Sequence, residues 1–181
     1  MKKRFIKIYG VRFGLDEIEK NLDERFKIKF YCFGSDLNAI KKYAIKNPRT
    51  FHNHGKVEKN LADEAITGSD ILISIGDVEG MQISSKIFDY LSMGKPILHF
   101  AYTQECVNTR LLAQYPLAHT VMLNKDDCYS ESTIKNAALF VKKVNGKSMS
   151  FAMIAKLYPN ALPETTAHSF RDCINRNCII K

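Results

Sequence analysis

The chain has 181 residues, 45% of them hydrophobic, with 27 Lys and Arg against 19 Asp and Glu, for a formal charge of +8. That length and composition suit one globular domain around one substantial core, and no apolar run approaches the length needed to cross a bilayer. The basic balance favours anionic partners (a nucleotide diphosphate, a lipid phosphate or an anionic membrane surface), whereas no helix-turn-helix, zinc-finger or RNP pattern supports nucleic acid.

The first expected strand is Lys3 to Tyr9, closed by Gly10. The residues before it, Met1 to Arg4, are basic, but Phe5 to Tyr9 is too short and too broken by lysine for a signal peptide, so a cytoplasmic protein is expected. Val11 to Gly14 then makes a short loop ahead of a charged helix, Leu15 to Leu22. Two readings fit that loop. Gly10 lets a phosphate approach backbone N–H groups and Arg12 adds a bidentate contact, or the segment is a plain turn with a surface arginine. With no G-x-G-x-x-G pattern, a dinucleotide cofactor is not expected.

Lys27 to Phe33 is the second expected strand, followed by a Gly34-Ser35-Asp36 turn and a helix to Ile45 that Asn47-Pro48 ends. Thr50 to His54 is the third strand. His52 and His54 share a face by alternation, but two imidazoles without a third ligand do not make a metal site, and none is expected. Five cysteines (Cys32, Cys106, Cys128, Cys173 and Cys178) are odd in number and form no CxxC pair, which suits scattered reduced thiols rather than a disulfide scaffold. Cys32, within an apolar strand, reads as a small core residue.

Val57, Leu61 and Ala65 mark a helix stripe over Val57 to Ile66. Asp70 to Ile75 is a continuous apolar run of the kind buried on both faces of a parallel sheet. It ends at Gly76-Asp77, the carboxyl edge where open α/β sheets take their ligands. Gln82 to His99 then reads helix, tight turn, strand. Ile83, Ile87 and Leu91 recur every four residues, Ser84 or Ser85 is placed to cap the start, and Gly94-Lys95-Pro96 ends the helix. Ser85, Lys86 and Asp89 lie off the stripe. A hydroxyl, a cation and a carboxylate near a helix N-terminus suit a phosphorylated sugar or nucleotide; the alternative is an ordinary crossover helix with a solvated face.

After the strand Pro96 to Phe100, Val107, Leu111 and Leu112 mark a helix stopped at Pro116, and Thr120 to Leu123 a short strand. Ser130 to Val144 is a long helix with Ile134, Leu139 and Val141 inward, and the tail 146–181 alternates short helical runs around Pro159 and Pro163. Strands and helices alternate throughout, predicting a doubly wound, Rossmann-like parallel α/β sheet of about six strands, with helices on both faces and a helical C-terminal tail.

The run SKIFDYLSMGKPILHF, preceded by SDILISIGDVEGMQI, resembles the donor-binding C-terminal domain of GT-B glycosyltransferases, in particular the retaining, group 1 or family-four-like set with a GPGTF-type signature. The resemblance implies that 1–181 is a single nucleotide-sugar-binding domain, the donor half of an enzyme that moves a sugar from a nucleotide-sugar such as a UDP-sugar to an acceptor hydroxyl. Cell-surface polysaccharide biosynthesis is the implied setting. It further implies diphosphate contacts from Gly10, Arg12, Ser84, Ser85 and Lys86, ribose binding by Asp89, and base- or sugar-side contacts from Gly76, Asp77 and Gln82. No cofactor or metal is implied, and no catalytic residue is assigned.

Departures are equally specific. Asp89 stands where relatives carry glutamate, Ser84 where they carry proline, and Met81 where many carry a first acidic residue, with Glu79 near but out of register. A second basic residue is expected a few positions after Arg12; Glu17 intervenes and Lys20 is the candidate. Relatives have a second, N-terminal domain that supplies the acceptor site. This chain is therefore expected to need that domain, in cis or in trans, and to be inactive alone, with its tail docking there and the inner membrane face or a lipid-linked acceptor as a partner. The alternatives are a non-catalytic doubly wound nucleotide-binding module and a sugar-nucleotide epimerase relative.

Overall fold

The computed structural model describes residues 14–22, 27–31, 37–46, 48–123 and 129–177. The expected strand Lys3 to Tyr9, with Gly10, Arg12 and the loop around them, lies outside the described residues, as does Cys32.

A helix at 14–20 (α1) leads to β1 (Ile28–Phe30), α2 (Leu37–Lys46), β2 (Phe51–Asn53), α3 (Lys59–Thr67) and β3 (Leu72–Ile75). Then follow α4 (Ser85–Ser92), β4 (Ile97–Ala101), α5 (Val107–Leu112), β5 (Ala118–Met122) and α6 (Glu131–Val144). The tail is α7 (Phe151–Leu157), a 3-10 turn at Pro159–Ala161 and α8 (Pro163–Asn177). Every strand pair among the described residues is parallel, and the architecture is mixed α/β. The strand count corrects the sequence expectation. Among the described residues there is no six-stranded sheet but a two-stranded one, β1-β2, and a three-stranded one, β3-β4-β5.

Register fixes which side chains share a face. Leu72, Ser74, Ile97, His99 and Ala101 point one way, and Leu98, Phe100 and Val121 the other. The second face joins the two sheets in one core with Ile28 and Phe51, covered by Leu15 and Ile18 of α1 and by Ile134, Ala137 and Ala138 of α6. The first face carries Ile97 beneath Ile87 and Leu91 of α4, Leu112 and Tyr115 around α5, and Ile154 and Tyr158 around α7. Helices on both faces explain why β4 is buried along its whole length, as a central parallel strand requires.

Three expected stripes need correction. Ile83 is 52% exposed, because it precedes the N-cap Ser84, where the backbone is extended and helical spacing does not apply. Leu139 is 63% exposed; α6 faces inward through Ile134, Ala137, Ala138 and Val144, and two alanines let the helix approach Phe100 and Val121 closely. Leu61 is 52% exposed and α3 buries no residue, so its stripe meets no closely packed surface among the described residues.

Candidate functional site

β3 delivers the chain to its carboxyl edge at Ile75, and the next residue is already occupied by packing. Gly76 is buried and donates its N–H to the Phe100 carbonyl at 2.8 Å. A Cβ there would sit 3.1 Å from Cys106 Sγ and 3.5 Å from His99 Cε1, so the glycine is what lets α5 close on the strand. The loop 77–84 folds back on itself: Gly80 donates to the Asp77 carbonyl at 3.2 Å, and Asp77 Oδ1 accepts from the Gln82 N–H at 3.2 Å. Gly80 has φ +74° and lies against Thr103 and Cys106, where a side chain has no room. Its carbonyl accepts from the Val107 N–H at 2.8 Å.

Out of this loop rises α4. Ser84 is the N-cap by position, but its side chain makes no cap hydrogen bond, a correction to the expected capping role; its carbonyl accepts from the Ile87 N–H at 3.0 Å. Ile87 and Leu91 turn into the core, at 0% and 4% exposure, which obliges Ser85, Lys86 and Asp89 to face outward. Gly94, at φ +66°, ends the helix pressed against the Met149 backbone, whose N–H donates to the Gly94 carbonyl at 2.9 Å.

Asp77, Gln82, Ser84, Ser85, Lys86 and Asp89 thus follow one another along the 77–84 loop and α4, with Gln82, Ser85, Lys86 and Asp89 exposed, whereas Gly76 is buried against Cys106. Gly10 and Arg12 are outside the described residues. Lys20 is held by Glu17 at 2.5 Å. On α3 the Lys59 ammonium is paired with Asp63 at 3.0 Å, which holds it above its usual range. Among the described residues no three His, Cys, Asp or Glu are grouped to hold a metal ion, and His54 instead stacks on Tyr31 with ring centroids 4.6 Å apart. No described helix is long and apolar enough to cross a membrane.

Sequence reasoning missed what lies beneath the rim. His99 is fully buried, its Nδ1 hydrogen-bonded to the Ser74 hydroxyl at 3.1 Å and its Nε2 3.6 Å from Cys106 Sγ. Burial pushes the imidazole down to about 4, only partly opposed by hydrogen bonding to the Ser74 backbone, so it is neutral at pH 7. A neutral ring offers one donor and one acceptor nitrogen, which a hydroxyl and a thiol on opposite sides can both satisfy. The available signal was a histidine inside an otherwise apolar strand, Pro96 to Phe100. Asn108 was missed too, a polar residue 1% exposed on α5. Comparison of the chain with family models, curated proteins and solved structures finds no match.

Proposed function

We propose that this chain is the donor-binding half of a GT-B glycosyltransferase, retaining in stereochemistry, that binds a nucleotide-sugar at the rim formed by the 77–84 loop and α4. The observation that carries the proposal is the exposed set Ser85, Lys86 and Asp89, on the first turns of α4, the helix that follows the carboxyl end of β3 across the 76–84 loop. Open α/β sheets take ligands at that edge, and the N-terminal end of a helix favours negative charge.

In this proposal Lys86 and the first-turn N–H groups of α4, joined by Arg12, neutralise the diphosphate, which gathers charge as it leaves. Asp89 accepts hydrogen bonds from the ribose hydroxyls. The acceptor hydroxyl, held by a second domain in cis or in trans on the face of the sugar from which the diphosphate leaves, bonds to the anomeric carbon as the bond from that carbon to the diphosphate oxygen breaks; its proton passes to solvent or to the acceptor domain. The fold that goes with this activity is a doubly wound sheet. In this reading the protein acts in the cytoplasm against a lipid-linked acceptor.

Isothermal titration with nucleoside diphosphates tests the site. Uridine diphosphate is expected to bind, and Lys86→Ala and Asp89→Ala are each expected to weaken it about tenfold. Equal affinity in the parent and both variants overturns the assignment. One observation favours a second reading, a nucleotide-binding module without turnover: Met81, where an acidic partner of Asp89 would stand, is 75% exposed and apolar. Sugar transfer on adding a cognate acceptor domain excludes that reading.

A further inference from the structure

α5 is a short helix, yet its start carries two deeply buried side chains that face different partners. Cys106, 0% exposed, packs against His99 in the sheet. Asn108, 1% exposed, turns instead to the loop ahead of α4. Its Oδ1 accepts from the Ser84 N–H at 3.2 Å and its Nδ2 donates to the Gln82 carbonyl at 3.1 Å. The carboxamide therefore stands in for a neighbouring peptide group, pairing one donor and one acceptor two residues apart. An aspartate lacks the donor and a leucine lacks both groups. Burying any polar side chain without partners is costly, so Asn108 is matched to this loop in both shape and hydrogen bonding.

We infer that Asn108 is the positioning residue of the α4 rim, holding the backbone of 82–84 so that Ser85, Lys86 and Asp89 emerge from a preformed turn; the inference rests on the donor-site proposal for that rim. Preorganisation of this kind removes the loop-ordering cost from ligand binding. The tie acts together with the Val107 N–H on the Gly80 carbonyl and with Asp77 Oδ1 on the Gln82 N–H, so the loop is gripped at successive points along its length.

The test uses the full chain with Asn108→Leu and Asn108→Ser, the second smaller in case the first disturbs folding. Residue-resolved amide hydrogen exchange should show Ser84 exchanging about tenfold faster in both variants, while Gly76, bonded to the Phe100 carbonyl, keeps its parental rate. Titration with uridine diphosphate, well below the unfolding temperature, should show an affinity about tenfold weaker. Unchanged Ser84 exchange, equal acceleration of Ser84 and Gly76, or unchanged affinity with Ser84 deprotected each overturns the inference. If the parent binds no nucleoside diphosphate, the donor-site proposal fails on its own account, and Ser84 exchange still decides whether Asn108 holds the rim.

Discussion

Two helices of nearly equal length face the same test and part company. α3 (Lys59–Thr67) and α4 (Ser85–Ser92) both follow apolar residues spaced by four, Val57-Leu61-Ala65 and Ile83-Ile87-Leu91. α4 buries two members of its stripe, whereas α3 buries none. The difference lies in what each meets. α4 comes down on Ile97 with Leu112, Tyr115, Ile154 and Tyr158 closing around it. Among the described residues α3 shows local contacts instead, a Lys59–Asp63 pair at 3.0 Å and the Gly68 N–H on the Glu64 carbonyl at 2.8 Å. Periodicity defines a stripe, but only a complementary surface turns it into stability.

The sharpest way to break this contrast is Ile87→Ala. It removes a fully buried side chain from the α4 core and should cost about 3 kcal/mol of unfolding free energy in a denaturant titration. Loss below about 1 kcal/mol would mean that α4 is not anchored as described. The C-terminal glycines extend the comparison. Gly94→Ala combines a left-handed backbone with a collision at Met149, and should destabilise by about 2 kcal/mol. Gly68→Ala at the end of α3, at φ −80° and close only to its own helix's Glu64 carbonyl at 3.2 Å, should change stability by less than about 1 kcal/mol.

The buried imidazole under α4 and α5 adds a pH dependence that α3 has no part in. His99 sits near 4 in the folded chain and near 6.5 when unfolded, so between those values the unfolded chain binds the extra proton. Its contribution to stability is complete above pH 6.5 and is lost as pH falls toward 4. From pH 6.5 to 5 that is about 2 kcal/mol. Unfolding measured across that window should show this slope in the parent and its removal in His99→Gln; parallel curves would contradict it. At the small end, Leu61→Ala in α3 should shift stability by no more than about 0.5 kcal/mol in the same denaturant titration, and a larger loss would show that its stripe has a partner.

The candidate rim was legible where chemistry is local. Ser85, Lys86 and Asp89 could be read as outward-facing because Ile87 and Leu91 define the inward side within one helix. Asn108 could not, since its partners Ser84 and Gln82 lie 24 and 26 residues away and a polar residue in an amphipathic helix ordinarily faces water. Gly76 was legible as a glycine at a strand's carboxyl edge, but not as the contact that admits Cys106.

By itself, the amino-acid sequence determined what several of the described segments become. The run ahead of Gly76 is a strand, Phe151 to Leu157 is a helix, and Pro96 opens onto β4, because these outcomes depend on torsional preference and on the spacing of apolar residues within a few positions. Only the tertiary structure decided which stripes found a surface, how the strands divided into β1-β2 and β3-β4-β5, and why a histidine stays neutral between Ser74 and Cys106. Burial and hydrogen-bond satisfaction are set by groups brought together from distant parts of the chain, and local spacing carries no record of which groups those are.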